Sequence, residues 1–217
     1  SSIKAIAEAT NGNAVAIKAS VIDVNSVEAS AVSKAQLLDQ QDKSKLAAVG
    51  SATAIDAGGI ISSSVKASAL SEGGDATAVK GSVYGEKDLT IEAVAEAKKA
   101  QISESADGET KTFAAGNATA IDGYYITVGG SKNDQQSPSD AAINDVNVNI
   151  KASAIAEGFD TNTTVEATAI NGSVVIGNEE TKSIDVVKTL PENLTKNVSA
   201  TINASASAGT VVDGKIA

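Results

Sequence analysis

The sequence predicts an all-β protein: a β-sandwich head of jelly-roll or immunoglobulin-like type carrying an extended, strand-forming N-terminal tail. A β-solenoid is the alternative. Three observations carry this. Residues 146–157, VNVNIKASAIAE, alternate strictly, with Val146, Val148, Ile150, Ala152, Ala154 and Ala156 on one side and mostly polar residues on the other. Period-two alternation is the signature of a half-buried strand. The pattern returns at Val27-x-Ala29-x-Ala31, Val65-x-Ala67-x-Ala69, Ile91 to Ala97, Val165-x-Ala167-x-Ala169 and Val198 to Ala208. The apolar content is 42% but only 2% is aromatic, so alanine supplies much of the buried side. A face of alanines buries little area per residue. It becomes stable by close approach and by repetition, which favours extended sheets over a compact enzyme core.

Taken in order, residues 1–35 read as strands. Ile3, Ala5, Ala7 and Ala9 share a side before Asn11-Gly12 breaks the run. Residues 36–46 are polar and form a linker, and residues 47–217 form the head. A second unit, Ala-x-Ala-[Ile/Val]-x-[Gly/Ala] followed by β-branched or aromatic residues, recurs at 13–24, 51–62, 75–86, 117–128 and 166–177. Asp122-Gly123 and Asn171-Gly172 within it suit the positive-φ positions of a type I′ hairpin turn. Intervals between units are irregular. A strict solenoid keeps a constant period apart from loop insertions, whereas a sandwich tolerates unequal loops. The insertions 101–111, 129–141 and 178–196 are polar, and both prolines, Pro138 and Pro191, fall in them, where no ladder hydrogen bond is lost.

Composition narrows function. There is no Cys, so no disulfide and no thiol-bound metal; there is no His to move protons near neutrality, and no Met. A first residue other than Met makes Ser1-Ser2 read as a mature terminus after signal-peptide removal, and so as a secreted chain. No run of apolar residues is long enough to span a membrane as a helix. The net charge is −10 and every basic residue is Lys, which argues against nucleic acid.

No catalytic, cofactor or metal set emerges. Glu28, Glu92 and Glu166 recur at one outward repeat position, replaced elsewhere by Lys66 and Lys151. That exchange of sign describes a solvated strand face with cross-strand pairs rather than an acid–base dyad. Asp107-Gly108-Glu109 and Asn133-Asp134 lack the dense acidic ladder of a calcium loop and read as turns. Outward Ser199, Thr201, Ser205 and Ser207 have no base beside them. Six Asn-x-Ser/Thr sequons, at Asn117, Asn162, Asn171, Asn193, Asn197 and Asn203, are candidate N-glycan acceptors.

The alternating alanine strands, the sequons and the strand-forming Ile3–Val24 resemble subunits of secreted β-fibres. These include the archaeal thread filaments, in which a glycosylated sandwich takes a strand from its neighbour's N-terminal tail, and, more distantly, the curli and Fap amyloids. The Gln/Asn ladders of curli repeats are absent. The resemblance implies a non-enzymatic, homopolymeric filament subunit, pilus-like, serving adhesion, biofilm or cell–cell contact. Ile3, Ala5, Ala7, Ala9, Ala14 and Ala16 would be the donated residues. Asn197–Ala208 is the other candidate donor. A functional-amyloid fibre and a monomeric adhesin, ice-binding or carbohydrate-binding module are the alternative readings.

Overall fold

The computed structural model describes residues 1–37, 47–128, 145–176, 197–212 and 215–216. Among these the chain is all-β, with no helix. In chain order the strands are β1 (Ser2–Thr10), β2 (Ala14–Ile17), β3 (Val21–Lys34), β4 (Ala52–Glu72), β5 (Ala76–Gly85), β6 (Asp88–Lys98), β7 (Ala100–Glu104), β8 (Lys111–Ala114), β9 (Ala118–Val128), β10 (Asp145–Gly158), β11 (Ala167–Ile176), β12 (Asn197–Val212) and β13 (Lys215–Ile216). Eleven of them form one sheet, and β7 and β8 form an antiparallel hairpin.

Within the large sheet every pairing is parallel except a short antiparallel contact of β13 with Val211 and Val212 of β12. The pairings fall into two series. The first runs β1-β3-β4-β6-β10-β12 and the second β2-β4-β5-β9-β11. The 21-residue β4 belongs to both, its first half to the second series and its second half to the first. The chain thus passes from one series to the other and back.

Register explains the repeats. In the first series Ile3, Val27, Val65, Ile91, Ile150 and Ile202 form one row. Beside it lies the row Ala5, Ala29, Ala67, Ala93, Ala152, Ala204. In the second series Ile17, Ile55, Val79, Ile121 and Ile170 are aligned. From β3 to β10 the first-series members of these rows are buried, and with Ile55, Val79 and Ile121 they join one core. Two or three buried branched side chains on each of β3, β4, β5, β6, β9 and β10, with alanine methyls beside them, fill that core, so Trp and Phe are not needed for its volume. Unequal intervals in sequence are absorbed between strands: Ser30 and Ser68 touch across 38 residues, whereas Asn147 and Asp88 touch across 59.

The Ala-x-Ala-Ile units therefore do not form antiparallel hairpins. Asp122-Gly123 and Asn171-Gly172 lie inside β9 and β11, which run parallel to each other, and the register shifts where they meet. Glycine is needed there for approach rather than for a type I′ turn. A Cβ on Gly81 would overlap the carbonyl of Ala57, and one on Gly123 would overlap the carbonyl of Gly81. Gly81 and Gly172 also take φ of 137° and 142°, values that L side chains rarely adopt. Glu166 is likewise not in the row of Glu28 and Glu92. It precedes β11 in the second series and donates its N–H to Oδ1 of Asn117.

A second corner, before the second-series strands, is built on Gly12, Gly50, Gly74 and Gly116, each backbone resting on the one before. Buried hydroxyls of Ser33 and Ser71 donate to the carbonyls of Gly12 (2.7 Å) and Gly50 (2.8 Å), so the tight corner leaves no orphaned acceptor there. Side-chain amides and carboxylates carry the ladder onward. Asn13 Oδ1 accepts from Ser51 N–H, and Asp75 Oδ1 accepts from Asn117 N–H.

Residues 1–35, read from sequence as a separate tail, contribute β1, β2 and β3 to this sheet. Most of the linker 36–46, together with 129–144 and 177–196, lies outside the described residues. Among the described residues no helix is long and apolar enough to cross a membrane.

Candidate functional site

The outward faces carry charge in rows. Lys4, Glu28, Lys66, Glu92, Lys151 and Asn203 are consecutive register partners, so sign alternates along the sheet and ends in a neutral amide. Lys4 Nζ lies 3.4 Å from Glu28. In the second series Asp56, Lys80, Asp122 and Asn171 repeat the device, and Asn171 Nδ2 donates to Asp122 Oδ1 at 3.0 Å. Each exposed pair is worth at most about 1 kcal/mol, but the alternation opposes a slip by one strand because a slip brings like charges together. Glu92→Lys places three lysines in a row. It is expected to lower stability by about 1 kcal/mol at low ionic strength, and by less in high salt. Denaturant midpoints at two salt concentrations check this.

The second row lines a groove of about 630 Å³. Gly58, Gly81, Gly123 and Gly172 line it, and half-exposed Tyr125 flanks it. Asp56 and Asp122 stand on either side of Lys80. No cluster of metal-ligating side chains occurs among the described residues. Asp107 and Asp160 have carboxyls held below the usual carboxylate range. Asp107 is stabilised by the Ser105 hydroxyl and then the Glu109 N–H, and Asp160 by the Thr163 hydroxyl and then the Asn162 N–H. Both are fully exposed and both close turns. Phe113 and Phe159 stack at 6.1 Å, which ties β8 to the segment after β10.

The ends of the sheet differ from its middle. Among the described residues no strand pairs with the outer edge of β1, or with the outer edge of β12 before Val211. In β10 the inward Ile150, Ala152, Ala154 and Ala156 are buried. Their partners on β12, Ile202, Ala204, Ala206 and Ala208, are exposed, Ile202 to 44%. The cause lies in the strand inventory. Every first-series strand up to β10 has a second-series strand following it, whereas none follows β12 among the described residues.

The donor-strand candidates are placed at the opposite end. Ile3, Ala5, Ala7 and Ala9 are half-buried on β1, paired to β3 of their own chain; Ala14 is buried on β2 and Ala16 half-buried. Of the sequon asparagines, Asn117, Asn162, Asn171 and Asn203 are exposed. Asn171 and Asn203 close the two charge rows. Asn197 begins β12, and Asn193 lies outside the described residues. Sequence reasoning found the exchange of Glu28, Lys66, Glu92 and Lys151 in the first row but placed Glu166 with them, and it missed the second row of Asp56, Lys80, Asp122 and Asn171, whose Asp-Lys exchange is visible once the repeats are aligned. No protein-family model, curated protein or solved structure matches the chain.

Proposed function

We propose that the chain is a β-solenoid structural subunit, not an enzyme, that joins copies of itself end to end into an extracellular filament. The observation that carries this is β12: a strand whose outer edge before Val211 is open among the described residues, with an exposed inward row whose counterparts one strand away are fully buried. A parallel ladder with a free edge is a template for another chain. Burial of that row supplies the driving force. A contact between unlike ends does not close on itself, so it propagates as a filament. The two parallel series, which the chain visits alternately, and the stacked glycine corners support a solenoid course over a sandwich. Outward carboxylates that alternate with lysine, rather than converge, support a structural role. The exposed Asn117 and Asn162 support glycan attachment on the flank of such a filament.

Negative-stain electron microscopy of the purified chain at neutral pH tests this. Filaments of uniform width with a 4.7–4.8 Å axial spacing in fibre diffraction are expected. Dispersed single particles at high concentration sink the proposal. They favour a second reading, a monomeric glycan-binding module using the groove beside Tyr125.

A further inference from the structure

Given the end-to-end assembly proposed above, we infer that β12 of one copy takes the seat of β1 in the next, displacing it from β3. Two independent observations lead there. The first is chemical identity. The inward residues of β1 are Ile3, Ala5, Ala7 and Ala9, and those of β12 in the same rows are Ile202, Ala204, Ala206 and Ala208. On the inward side, residue for residue, β12 is what β3 already holds; outward, Asn203, Ser205 and Ser207 stand where β1 has Lys4, Ile6 and Glu8.

The second is strand arithmetic. Among the described residues the first series has one strand more than the second. Laying β1 of a new copy on β12 adds a first-series strand where a second-series strand is due, and leaves the exposed alanine row without an opposing wall. Letting β12 occupy the β1 seat removes the surplus. The order β10, β11, β12 then continues directly into β2 and β3 of the next copy. Here β2 walls off the row that is open in the single chain, and β11 meets β2 as it now meets β9.

Charge and geometry agree with this seat. Asn203 comes between Lys151 of its own chain and Glu28 of the next copy, so no like charges meet. Lys18 follows Ile17 as Asp56 follows Ile55, which brings Lys18 of the next copy beside neutral Asn171. β13 does not obstruct the seat. It contacts only Val211 and Val212, beyond Gly209, the residue that falls opposite Lys34 at the end of β3. A nine-residue parallel ladder ties β1 to β3, one that an incoming β12 would reproduce, and the side chains of β1 add little to it: its inward residues are only half-buried, and its ion pair to Glu28 joins side chains that are 64% and 51% exposed. β1 is thus a resident occupant of a seat that β12 of another copy fills with a better-covered row.

The chain contains no cysteine, so paired cysteines report the seat directly. Ser30 on β3 and Ser205 on β12 both face outward on the row of Ile6. Within one chain β3 and β12 are four strand spacings apart, about 19 Å, too far for a disulfide. In the exchanged seat they become neighbours. Ser30→Cys with Ser205→Cys should give, on mild oxidation of assembled protein, a ladder of dimers, trimers and higher species that reduction collapses. Ile6→Cys with Ser205→Cys should not.

The reverse pattern, cross-linking through Ile6 and not Ser30, overturns strand exchange while leaving assembly intact, with β1 stacked directly on β12. If the unmodified chain never assembles, the filament proposal fails first, and the exchange with it. A second variant is independent of the cysteines. Deletion of residues 1–10 removes the competitor for the seat and should make assembly faster than that of the full chain; assembly lost on this deletion, in a chain that still folds, overturns the inference.

Discussion

Replacing Gly74 with alanine is expected to unfold the chain or cost more than about 4 kcal/mol, an effect that marks a forced backbone clash rather than lost packing. The new Cβ would overlap the carbonyl oxygen of Gly50 and lie 3.2 Å from the Ser71 hydroxyl, which is itself committed to that carbonyl. Backbone has nowhere to retreat, because Gly50 rests on Gly12 and Gly116 rests on Gly74 in the same way. Relief requires separating neighbouring strands, and so breaking the parallel ladder on both sides. Gly59→Ala is the matched control. A Cβ added there would meet nothing within 4 Å, so the change should be neutral or slightly stabilising, within about 1 kcal/mol. Urea denaturation followed by circular dichroism compares the two. Equal midpoints would show that the glycine corner is not tightly stacked.

Ile91→Ala is expected to cost about 2–5 kcal/mol, the range for deleting a fully buried branched side chain and leaving a cavity. Ile91 has no exposed surface and sits between Val65 and Ile150, with alanine rows alongside that are too short to fill the gap. Ile202→Ala, in the same row, should change the stability of the single chain by less than about 1 kcal/mol, because Ile202 is 44% exposed. Under the proposed strand exchange the order reverses in importance: Ile202 would be the branched side chain that fills the β1 seat, and its truncation should slow assembly. Thermal melts of the unassembled chain, set against light-scattering assembly rates, separate the two roles. A large loss of monomer stability from Ile202→Ala would mean that β12 is already covered within one chain.

Much of the local structure was legible. The alternation of Val146 to Glu157 places a strand, and the same reading locates most of β3, β6, β10 and β12 with the correct residues inward. Within the polar insertion at 101–111 only residues 105–110 form a turn, while residues 101–104 and Lys111 belong to the antiparallel strands β7 and β8 on either side, and Asp107 spends its carboxylate on that turn. The candidate site was half-legible. Ile3, Ala5, Ala7 and Ala9 stand out as an inward row, and Asn197–Ala208 as a second one, but nothing local says which strands flank them.

What the sequence determined alone is strand character and facing, since those depend only on period two and on residue chemistry. It also determined the alanine-rich character of the core. Tertiary structure decided partner and direction. Asp122-Gly123 serves a hairpin turn or a close parallel approach equally well, because glycine relieves both constraints, and only the register of Asn171 on Asp122 separates them. Unequal spacing concealed the rows, because insertions between strands leave the vertical match of Val65 on Ile91 on Ile150 untouched. Exposure of the β12 row was decided last. It follows from the absence of a following second-series strand among the described residues, a property of how the strands are counted off in space, which no single strand carries in its own residues.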